Sequence, residues 1–280
     1  MITCNLKGGL GNQLFQIFAV VAYSLKHKKP FKFLYTDSVP SVTPRHSYWE
    51  SFLKSLKSFT IHAYPANTKM IDHNGMDYRA LSTSSGSEHT IFDGYFQSHK
   101  YFEERQDDIF RLIRLEEQRA ECLAKHGGAT GLENTISMHF RLGDYKNLGH
   151  FHPIMGFEYY KNAFTHILSS CQNQKWKVMY FCEAEDTHDV QYIIRGLTEV
   201  FPLLTFEKAS DQIADWEQML LMSVCTHHII ANSSFSWFGA YFNTTNKNKI
   251  VCYPNTWFCG SGANICVDDL FPPSWQKIKC

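Results

Sequence analysis

One continuous stretch near the start of the chain decides the fold class. Residues 2–35 read ITCNLKGGLGNQLFQIFAVVAYSLKHKKPFKFLY. Residues 2–6 form a short apolar run typical of a buried strand, and residues 13–27 carry apolar side chains at helical spacing. Pro30 ends the predicted helix, and residues 31–35 form a second apolar run. Strand, glycine turn, helix and strand in this order predict a βαβ unit within a parallel sheet.

The alternation of strands and helices restarts after a glycine-rich break at residues 127–131, which read GGATG. Residues 38–87 carry only a weak pattern, and residues 99–126 are predicted to be helical. Beyond the break the predicted elements are the strands 135–139, 177–182, 203–206, 228–231 and 250–253 and the helices 157–171, 187–196, 211–224 and 236–244. The pattern therefore predicts an α/β protein with two Rossmann-type domains, 1–130 and 131–280, and a ligand in a central cleft between them.

Composition excludes several classes of protein. The chain has 280 residues with 27 basic and 27 acidic side chains, a balance that argues against nucleic acid as the main partner. The longest apolar stretch, Ile17 to Leu25, is shorter than the roughly 20 residues that span a bilayer, and no signal peptide is visible. Nine cysteines without a C-x-x-C pair argue against a zinc site and favour a reducing compartment. We expect a soluble, cytoplasmic protein.

The glycine turn at residues 8–14 has three interpretations. Gly9 and Gly11 match the first two glycines of a dinucleotide-binding turn, and Asp37 follows the second strand where a ribose-binding acid would lie. However, Leu14 stands where the third glycine should be, and Asn12 and Gln13 add polar groups that such a turn does not need. A cofactor turn, a purely structural turn and an active-site loop therefore all remain open.

A second motif, residues 135–145, reads TISMHFRLGDY and joins a predicted buried strand to a polar loop. In open α/β sheets ligands bind at the carboxyl ends of the strands. Arg141 can bind a diphosphate through two parallel hydrogen bonds, and Asp144 can hold its guanidinium in place. The alternative is a surface ion pair between Arg141 and Asp144, with His139 as a core residue whose hydrogen bonds are satisfied.

A third motif, residues 229–240, reads IIANSSFSWFGA and places hydroxyl and amide groups at a helix start. Ser234 or Ser236 could simply cap the helix, but the same arrangement binds phosphate through N–H and hydroxyl donors. Trp237 and Phe238 are predicted to lie in the core.

Taken together, these segments resemble the α1,2-fucosyltransferases of glycosyltransferase family eleven. The similarity follows the chain in order through the segments 8–16, 93–98, 139–145, 215–223 and 232–240 and ends at Trp257-Phe258. The resemblance implies a GT-B-like fold and an inverting transfer of L-fucose from GDP-β-L-fucose to a sugar hydroxyl of a glycan, forming an α1,2 linkage without a metal or other cofactor. It also implies that residues 1–130 lie on the acceptor side and that residues 131–280 bind the GDP-sugar.

The resemblance assigns roles to individual residues. Arg141 would contact the β-phosphate, and Asn12 would lie near the transferred sugar. With Asp144, which would position Arg141, these are the three candidate catalytic residues. His139, with Glu183, would face the guanine. The candidate donor-binding residues are Gly9, Gly11, Gln13, His139, Glu183, Asn232, Ser233, Ser234, Phe235 and Ser236. Asp93, Asp144 and Glu183 are candidates for a general base on residue type alone.

The chain departs from the family pattern at two places. The family motif usually reads His-x-Arg-Arg-Gly-Asp, and here Leu142 replaces the second Arg; after the strand at 177–182, Glu183 and Ala184 replace two aspartates. Three alternatives remain open: the same fold with another GDP-sugar such as GDP-rhamnose, an NAD-dependent oxidoreductase, and a non-catalytic carbohydrate-binding protein. We expect a bacterial or viral type of enzyme without a Golgi anchor. Residues 38–90 are expected to determine acceptor specificity. The acidic pairs 185–186 and 268–269 are expected to lie in solvated loops.

Overall fold

The computed structural model describes residues 1–40, 45–73, 75–83, 88–128, 132–171 and 175–280. The chain divides into two compact units. Unit 1 comprises residues 1–118 and 265–272, and unit 2 comprises residues 119–264 and 273–280. The division thus falls earlier than the predicted boundary at 130/131, and residues 129–131 of the predicted glycine break lie outside the described residues.

Unit 1 is built on a three-stranded parallel sheet in the order β1, β7, β6. Counting those outside this sheet, the strands of unit 1 are β1 (Ile2–Cys4), β2 (Phe33–Leu34), β3 (Ser38–Val39), β4 (Arg45–His46), β5 (Thr60–Ile61), β6 (Lys69–Asp72) and β7 (Thr90–Asp93). The helices of unit 1 include α1 (Leu10–Lys26) and α2 (Gln106–Leu112). The strand predicted over 31–35 is confirmed only at its centre, as β2. The strands between residues 38 and 72 are two to four residues long, too short for an alternating pattern to be visible in the sequence.

The buried helix α1 forms the core of unit 1. Leu14, Phe15, Ile17 and Phe18 have no exposed surface, and Phe18 packs edge-on against Phe102 with 5.4 Å between ring centroids. A helix that is apolar on most sides is stable only where other elements cover it. Because α1 is covered in this way, most of its residues are apolar, and the helical pattern of its sequence is strong.

A short segment near the C-terminus belongs to unit 1. The Asp269 carboxylate accepts a hydrogen bond from the backbone N–H of Tyr78 at 3.0 Å and forms an ion pair with Lys100. The hydroxyl of Ser98 donates to the backbone carbonyl of Asp269 at 2.6 Å. The prediction of a solvated loop at 268–269 is therefore wrong for Asp269, which anchors this segment.

Unit 2 contains a six-stranded sheet, parallel throughout, in the order β10, β9, β8, β11, β12, β13. Its strands are β8 (Thr135–His139), β9 (Lys177–Phe181), β10 (Thr205–Lys208), β11 (His227–Ile229), β12 (Val251–Pro254) and β13 (Gln276–Ile278), and its helices are α4 (Phe157–Ser170), α5 (Thr187–Val200), α6 (Asp215–Val224) and α7 (Ser234–Tyr241). The predicted α/β fold class with parallel sheets is confirmed in both units, and β8 matches its predicted bounds.

The region predicted to be helical over 99–126 contains two α-helices. Arg114 has a φ of 55°, a left-handed conformation that ends α2 and precedes α3 (Leu115–His126). The second half of α3 belongs to unit 2, where Arg119 donates to the Ser223 carbonyl at 3.3 Å and the Cys122 thiol donates to the Glu217 carbonyl at 3.3 Å. Because the division between the units falls within a continuous helix, no break in composition marks this division.

Candidate functional site

The candidate site of unit 2 lies where three neighbouring strands end. β8 pairs with β9 on one side and with β11 on the other, and all three run parallel. Their carboxyl ends therefore meet at one edge of the sheet, and residues 140–145, 182–186 and 230–236 follow them there. Ligands of open α/β sheets bind at this edge because the loops that leave the strands converge on it.

Arg141 is the centre of this edge. Its Nη2 donates to Asp144 Oδ1 and its Nη1 to Glu183 Oε1, each at 2.5 Å. The Arg141 side chain is 19% exposed, whereas those of Asp144 and Glu183 are 34% and 45% exposed. Carboxylates on both sides fix the plane of the guanidinium, which is the group that binds phosphate through paired N–H donors. The structure brings Arg141, Asp144 and Glu183 together, and Asp144 holds the guanidinium as the sequence predicts. The predicted contact of Glu183 with guanine stays a prediction.

Tyr145 supports the Arg141 guanidinium from one face. The guanidinium carbon lies 5.0 Å from the centroid of the Tyr145 ring, a distance typical of a cation–π contact. The ring in turn stacks on His152, with 4.2 Å between centroids and 11° between planes, and its hydroxyl donates to the Asn232 carbonyl at 3.1 Å. Burial raises the pKa of Tyr145, so the hydroxyl stays protonated and remains a donor. Sequence reasoning gave Tyr145 no role, although it completes the motif.

The loop after Arg141 requires a glycine. Gly143 has a φ of 38°, and a Cβ at this position would lie 2.6 Å from Glu183 Oε2. Its N–H donates to Asp186 Oδ2 at 2.7 Å, and Asp186 also pairs with Lys146 at 2.7 Å. Asp186 is only 2% exposed. The prediction of a solvated loop at 185–186 is therefore wrong for Asp186, because its partners come from a distant part of the chain.

His139 is buried beside an aromatic ring. The imidazole lies 5.5 Å from the Phe235 ring, centroid to centroid, and is 8% exposed. Burial, reinforced by the positive charge of Arg141, lowers the pKa of His139 to about 3, so the ring is neutral at physiological pH. A neutral imidazole and a phenyl ring at one place suit a flat heterocycle better than a second anion.

Three buried polar atoms at this edge have no hydrogen-bond partner among the described residues: His139 Nδ1, His152 Nδ1 and Asn232 Oδ1. Leaving a buried polar atom unpaired costs about 1–3 kcal/mol. The alternative of a core His139 with satisfied hydrogen bonds is thus not what the structure contains. Polar groups of a ligand would satisfy such atoms, which is the expected state of a binding site before binding.

The serines after β11 divide into two kinds. Ser233, in an extended conformation, caps α7 by accepting a hydrogen bond from the Phe235 N–H at 3.3 Å. The alternative in which Ser234 or Ser236 caps this helix is therefore wrong. The Ser236 hydroxyl is buried and donates to the Ser233 carbonyl at 3.4 Å. The Asn232 amide donates to the carbonyls of Pro153 and Trp257, at 2.9 and 3.2 Å. These contacts fix the first turn of α7, whose backbone N–H groups attract an anion.

The residue that departs from the family pattern, Leu142, lies in the core. It is 6% exposed and belongs to the apolar cluster of unit 2 with Phe140 and Tyr160. Trp237 and Phe238 of α7 are also fully buried, as predicted. The replacement of Arg by Leu at 142 therefore removes a charge from this edge and adds to the packing beneath Arg141.

In unit 1 the glycine turn is held by two glutamines of α1. Gln13 Nε2 donates to the Gly8 carbonyl and to the His46 carbonyl, both at 3.0 Å, and the Gln16 amide bonds the N–H and the C=O of Lys7, both at 2.9 Å. Both glutamines are fully buried and lie on one face of the helix, three residues apart. The contacts of Gln13 therefore hold the loop, and its predicted contact with a donor stays a prediction.

The other predicted residues of the turn lie at the start of α1. Gly9 is the N-cap residue, Gly11 is in the first turn, and the Asn12 side-chain oxygen accepts a hydrogen bond from Gln97 Nε2 at 2.7 Å. Leu14 is fully buried where a dinucleotide turn needs a glycine for close packing of helix and strand. This packing disfavours the oxidoreductase alternative. The role of Asn12 near a transferred sugar stays a prediction.

Two further features bear on the sequence predictions. Among the described residues, no group of three or more His, Cys, Asp or Glu side chains is arranged to hold a metal ion. Over the same part of the chain, each helix is too short or too polar to span a membrane.

Comparisons with known proteins place these motifs in context. The model of glycosyl transferase family 11 matches residues 1–279. The Escherichia coli O-antigen biosynthesis glycosyltransferase WbnK is 29% identical over 191 residues, 66% of this chain and 59% of that relative, so the match spans less than two thirds of its length. An alpha-1,2-colitosyltransferase of the same species is 24% identical over 303 aligned residues, covering 100% and 99% of the two chains.

Among solved structures, NodZ alpha-1,6-fucosyltransferase with GDP has a TM-score of 0.43 and 12% identity, covering 85% of this chain and 91% of its own. The Escherichia coli ADP-heptose heptosyltransferase II has a TM-score of 0.37 and 12% identity, covering 58% and 43%.

Proposed function

The chain belongs to glycosyl transferase family 11, and within that family we propose that it transfers L-fucose from GDP-β-L-fucose to a hydroxyl of a glycan acceptor. The linkage would be α1,2, formed with inversion at C1. The observation that carries this proposal is the Arg141 guanidinium, held by Asp144 and Glu183 at the carboxyl end of β8 and packed on Tyr145, whose hydroxyl contacts Asn232 just before α7.

In the proposed reaction the acceptor oxygen bonds to C1 of fucose while the bond from C1 to the phosphate oxygen breaks. The electron pair of that bond leaves with GDP, and the acceptor proton passes to a base or to solvent. Negative charge grows on the diphosphate, where Arg141 and the N–H groups of α7 can stabilise it. Fixed donors aimed at developing charge are among the largest contributions to enzyme catalysis.

Glu183 gives the site room for the diphosphate. Its side chain is nearly half exposed, so it can leave Arg141 Nη1 at little cost while Asp144 keeps the other side of the guanidinium. We propose that a phosphate oxygen takes this place and that the guanine lies near His139 and Phe235. His139 Nδ1 would then gain a hydrogen-bond partner from the base.

Two observations favour an alternative identity for the sugar donor. The relative that matches over its whole length is described as an alpha-1,2-colitosyltransferase, and Leu142 replaces the charged residue usual in the motif. GDP-colitose is therefore the alternative donor.

A donor panel tests the proposal. Release of GDP or UDP should be measured with GDP-fucose, GDP-colitose, GDP-mannose, GDP-rhamnose and UDP-galactose, and thermal stabilisation with the same donors and with GDP and NAD. We expect turnover with GDP-fucose and a weaker response or none to the UDP-sugar; turnover with GDP-colitose alone would select the alternative. Release of UDP, or stabilisation by NAD without stabilisation by GDP, would refute the assignment. Because no step uses a metal, EDTA should leave the rate unchanged; loss of activity that Mn²⁺ restores would contradict this part.

A further inference from the structure

A second polar cluster lies at the carboxyl edge of the sheet in unit 1. β1 and β7 are parallel neighbours; Asn5 follows β1 directly, and Asp93 ends β7. Lys7 Nζ lies 3.0 Å from Asp93 Oδ1, and Asn5 Nδ2 donates to the same oxygen at 3.3 Å. We call Asn5, Lys7 and Asp93 the Asp93 cluster. It occupies the edge at which parallel sheets bind ligands.

Exposed apolar side chains flank the Asp93 cluster on both sides. Tyr95 is 39% exposed, and Lys7 Nζ lies 5.5 Å from its ring centroid. Met70 of β6 is 62% exposed, and its sulfur lies 3.7 Å from Asn5 Nδ2. Hydroxyl-binding groups thus stand between two exposed apolar surfaces. A pyranose ring has the same character, with hydroxyl groups at its rim and C–H groups on its faces, so the surface complements a sugar.

The charge of the Asp93 cluster indicates what kind of ligand it fits. The Lys7 ammonium and the Asp93 carboxylate neutralise each other at 3.0 Å, and their side chains are 29% and 22% exposed. A diphosphate needs an excess of positive charge, whereas this cluster offers donors and acceptors in balance. A neutral sugar needs both, because each of its hydroxyl groups donates and accepts.

The backbone beneath the Asp93 cluster is fixed. The Gln16 amide bonds both backbone groups of Lys7, and the Tyr64 hydroxyl donates to Asn5 Oδ1 at 3.1 Å. Side chains held in this way lose little conformational entropy when a ligand binds.

We propose that the Asp93 cluster, with Tyr95, forms a subsite for a neutral sugar unit of the acceptor glycan. The sugar ring packs on Tyr95, its hydroxyl groups donate to Asp93, and Asn5 or Lys7 donates to its oxygens. This proposal rests on the proposed transferase function, because that function is what requires a glycan acceptor.

The test uses the full chain with a matched control. Tyr95→Ala removes the ring at a position exposed enough to leave folding intact; Tyr78→Ala, in the same unit, removes a tyrosine that is also 39% exposed and lies outside the Asp93 cluster. Binding to an array of neutral oligosaccharides is measured in the presence of GDP, and release of GDP from GDP-fucose is measured without an acceptor. We expect roughly tenfold weaker glycan binding for Tyr95→Ala, since tyrosine rings that a bound partner covers are frequent hot spots, and no change for Tyr78→Ala.

Asp93→Asn supplies an independent test of the polar contacts. It keeps the shape of the side chain but removes the charge that pairs with Lys7, and we expect roughly tenfold weaker binding of the same glycans, with thermal unfolding as the check on folding. Release of GDP without an acceptor should be unchanged in Tyr95→Ala.

The outcomes separate the two proposals. If Tyr95→Ala binds glycans as well as Tyr78→Ala does, or if the unmodified protein binds no neutral glycan, the subsite is refuted even where GDP is released. If GDP is released from none of the GDP-sugars in the donor panel, the transferase proposal itself fails.

Discussion

Replacing Arg141 by alanine separates its part in catalysis from its part in folding. The variant loses both ion pairs, to Asp144 and to Glu183, and the cation–π contact with Tyr145. No large cavity results, because two of the three partners are at least a third exposed and water can hydrate the carboxylates.

The expected magnitudes differ for the two quantities. Partly exposed ion pairs contribute about 0–1 kcal/mol each to folding, so the loss of two should lower the free energy of unfolding by up to about 2 kcal/mol. Loss of a preorganised donor to a developing charge raises the barrier by about 2.7–4 kcal/mol, which is roughly a 100- to 1,000-fold loss in rate. Activity should therefore disappear from a protein that remains folded.

The assay measures kcat/KM for GDP release from GDP-fucose together with urea unfolding. Arg111→Ala is the matched control, because Arg111 pairs with Asp108 at 2.5 Å with the same three-residue spacing as Arg141 and Asp144. The control should lose a comparable or smaller amount of stability and retain its activity. An Arg141→Ala variant that keeps more than about a tenth of kcat/KM would refute the role of this side chain in the transition state.

Three further predictions follow from the same edge of unit 2. Tyr145→Phe keeps the ring but loses its hydrogen bond, so GDP affinity measured by titration should fall about fivefold, by about 1 kcal/mol; unchanged affinity would contradict the support role. Gly143→Ala should cost about 1–2 kcal/mol in urea unfolding, because its φ is left-handed and the new Cβ meets Glu183, whereas Gly149→Ala, with open space around it, should be neutral. Because His139 is buried in its neutral form, it should make the free energy of unfolding fall by up to about 1.4 kcal/mol per pH unit as the pH drops below 6.5. The unfolded chain then binds a proton on His139, whereas the folded chain, in which this pKa is about 3, does not. If the free energy of unfolding of His139→Gln falls equally steeply with pH, this prediction is wrong.

Local patterns were enough to predict the elements that the site depends on. Residues 135–139 form an uninterrupted buried strand, and such a run is unambiguous when a polar loop follows it. That Arg141 and Glu183 lie at one edge of the sheet requires only that the neighbouring parallel strands β8 and β9 end there. Chain order and strand alternation supply that information.

Features that depend on distant contacts could not be predicted. Asp186 lies beside Glu185 in the sequence and looks solvated, but its partners Gly143 and Lys146 are 43 and 40 residues away. The burial of Leu142 and the stack of Tyr145 on His152 likewise depend on packing between loops. The contact of the Gln13 amide with the His46 carbonyl could not be predicted either, because the two residues are 33 positions apart in the chain.

The segment 265–272 has a consequence for the order in which the chain matures during translation. Tyr78, Ser98 and Lys100 are made early, but their partner Asp269 follows only after most of unit 2 has been synthesised. At about 5–20 residues per second, the ribosome needs on the order of ten seconds to reach it. During that interval unit 1 lacks one of its own pieces, so the nascent chain should remain more sensitive to protease there than in the finished protein.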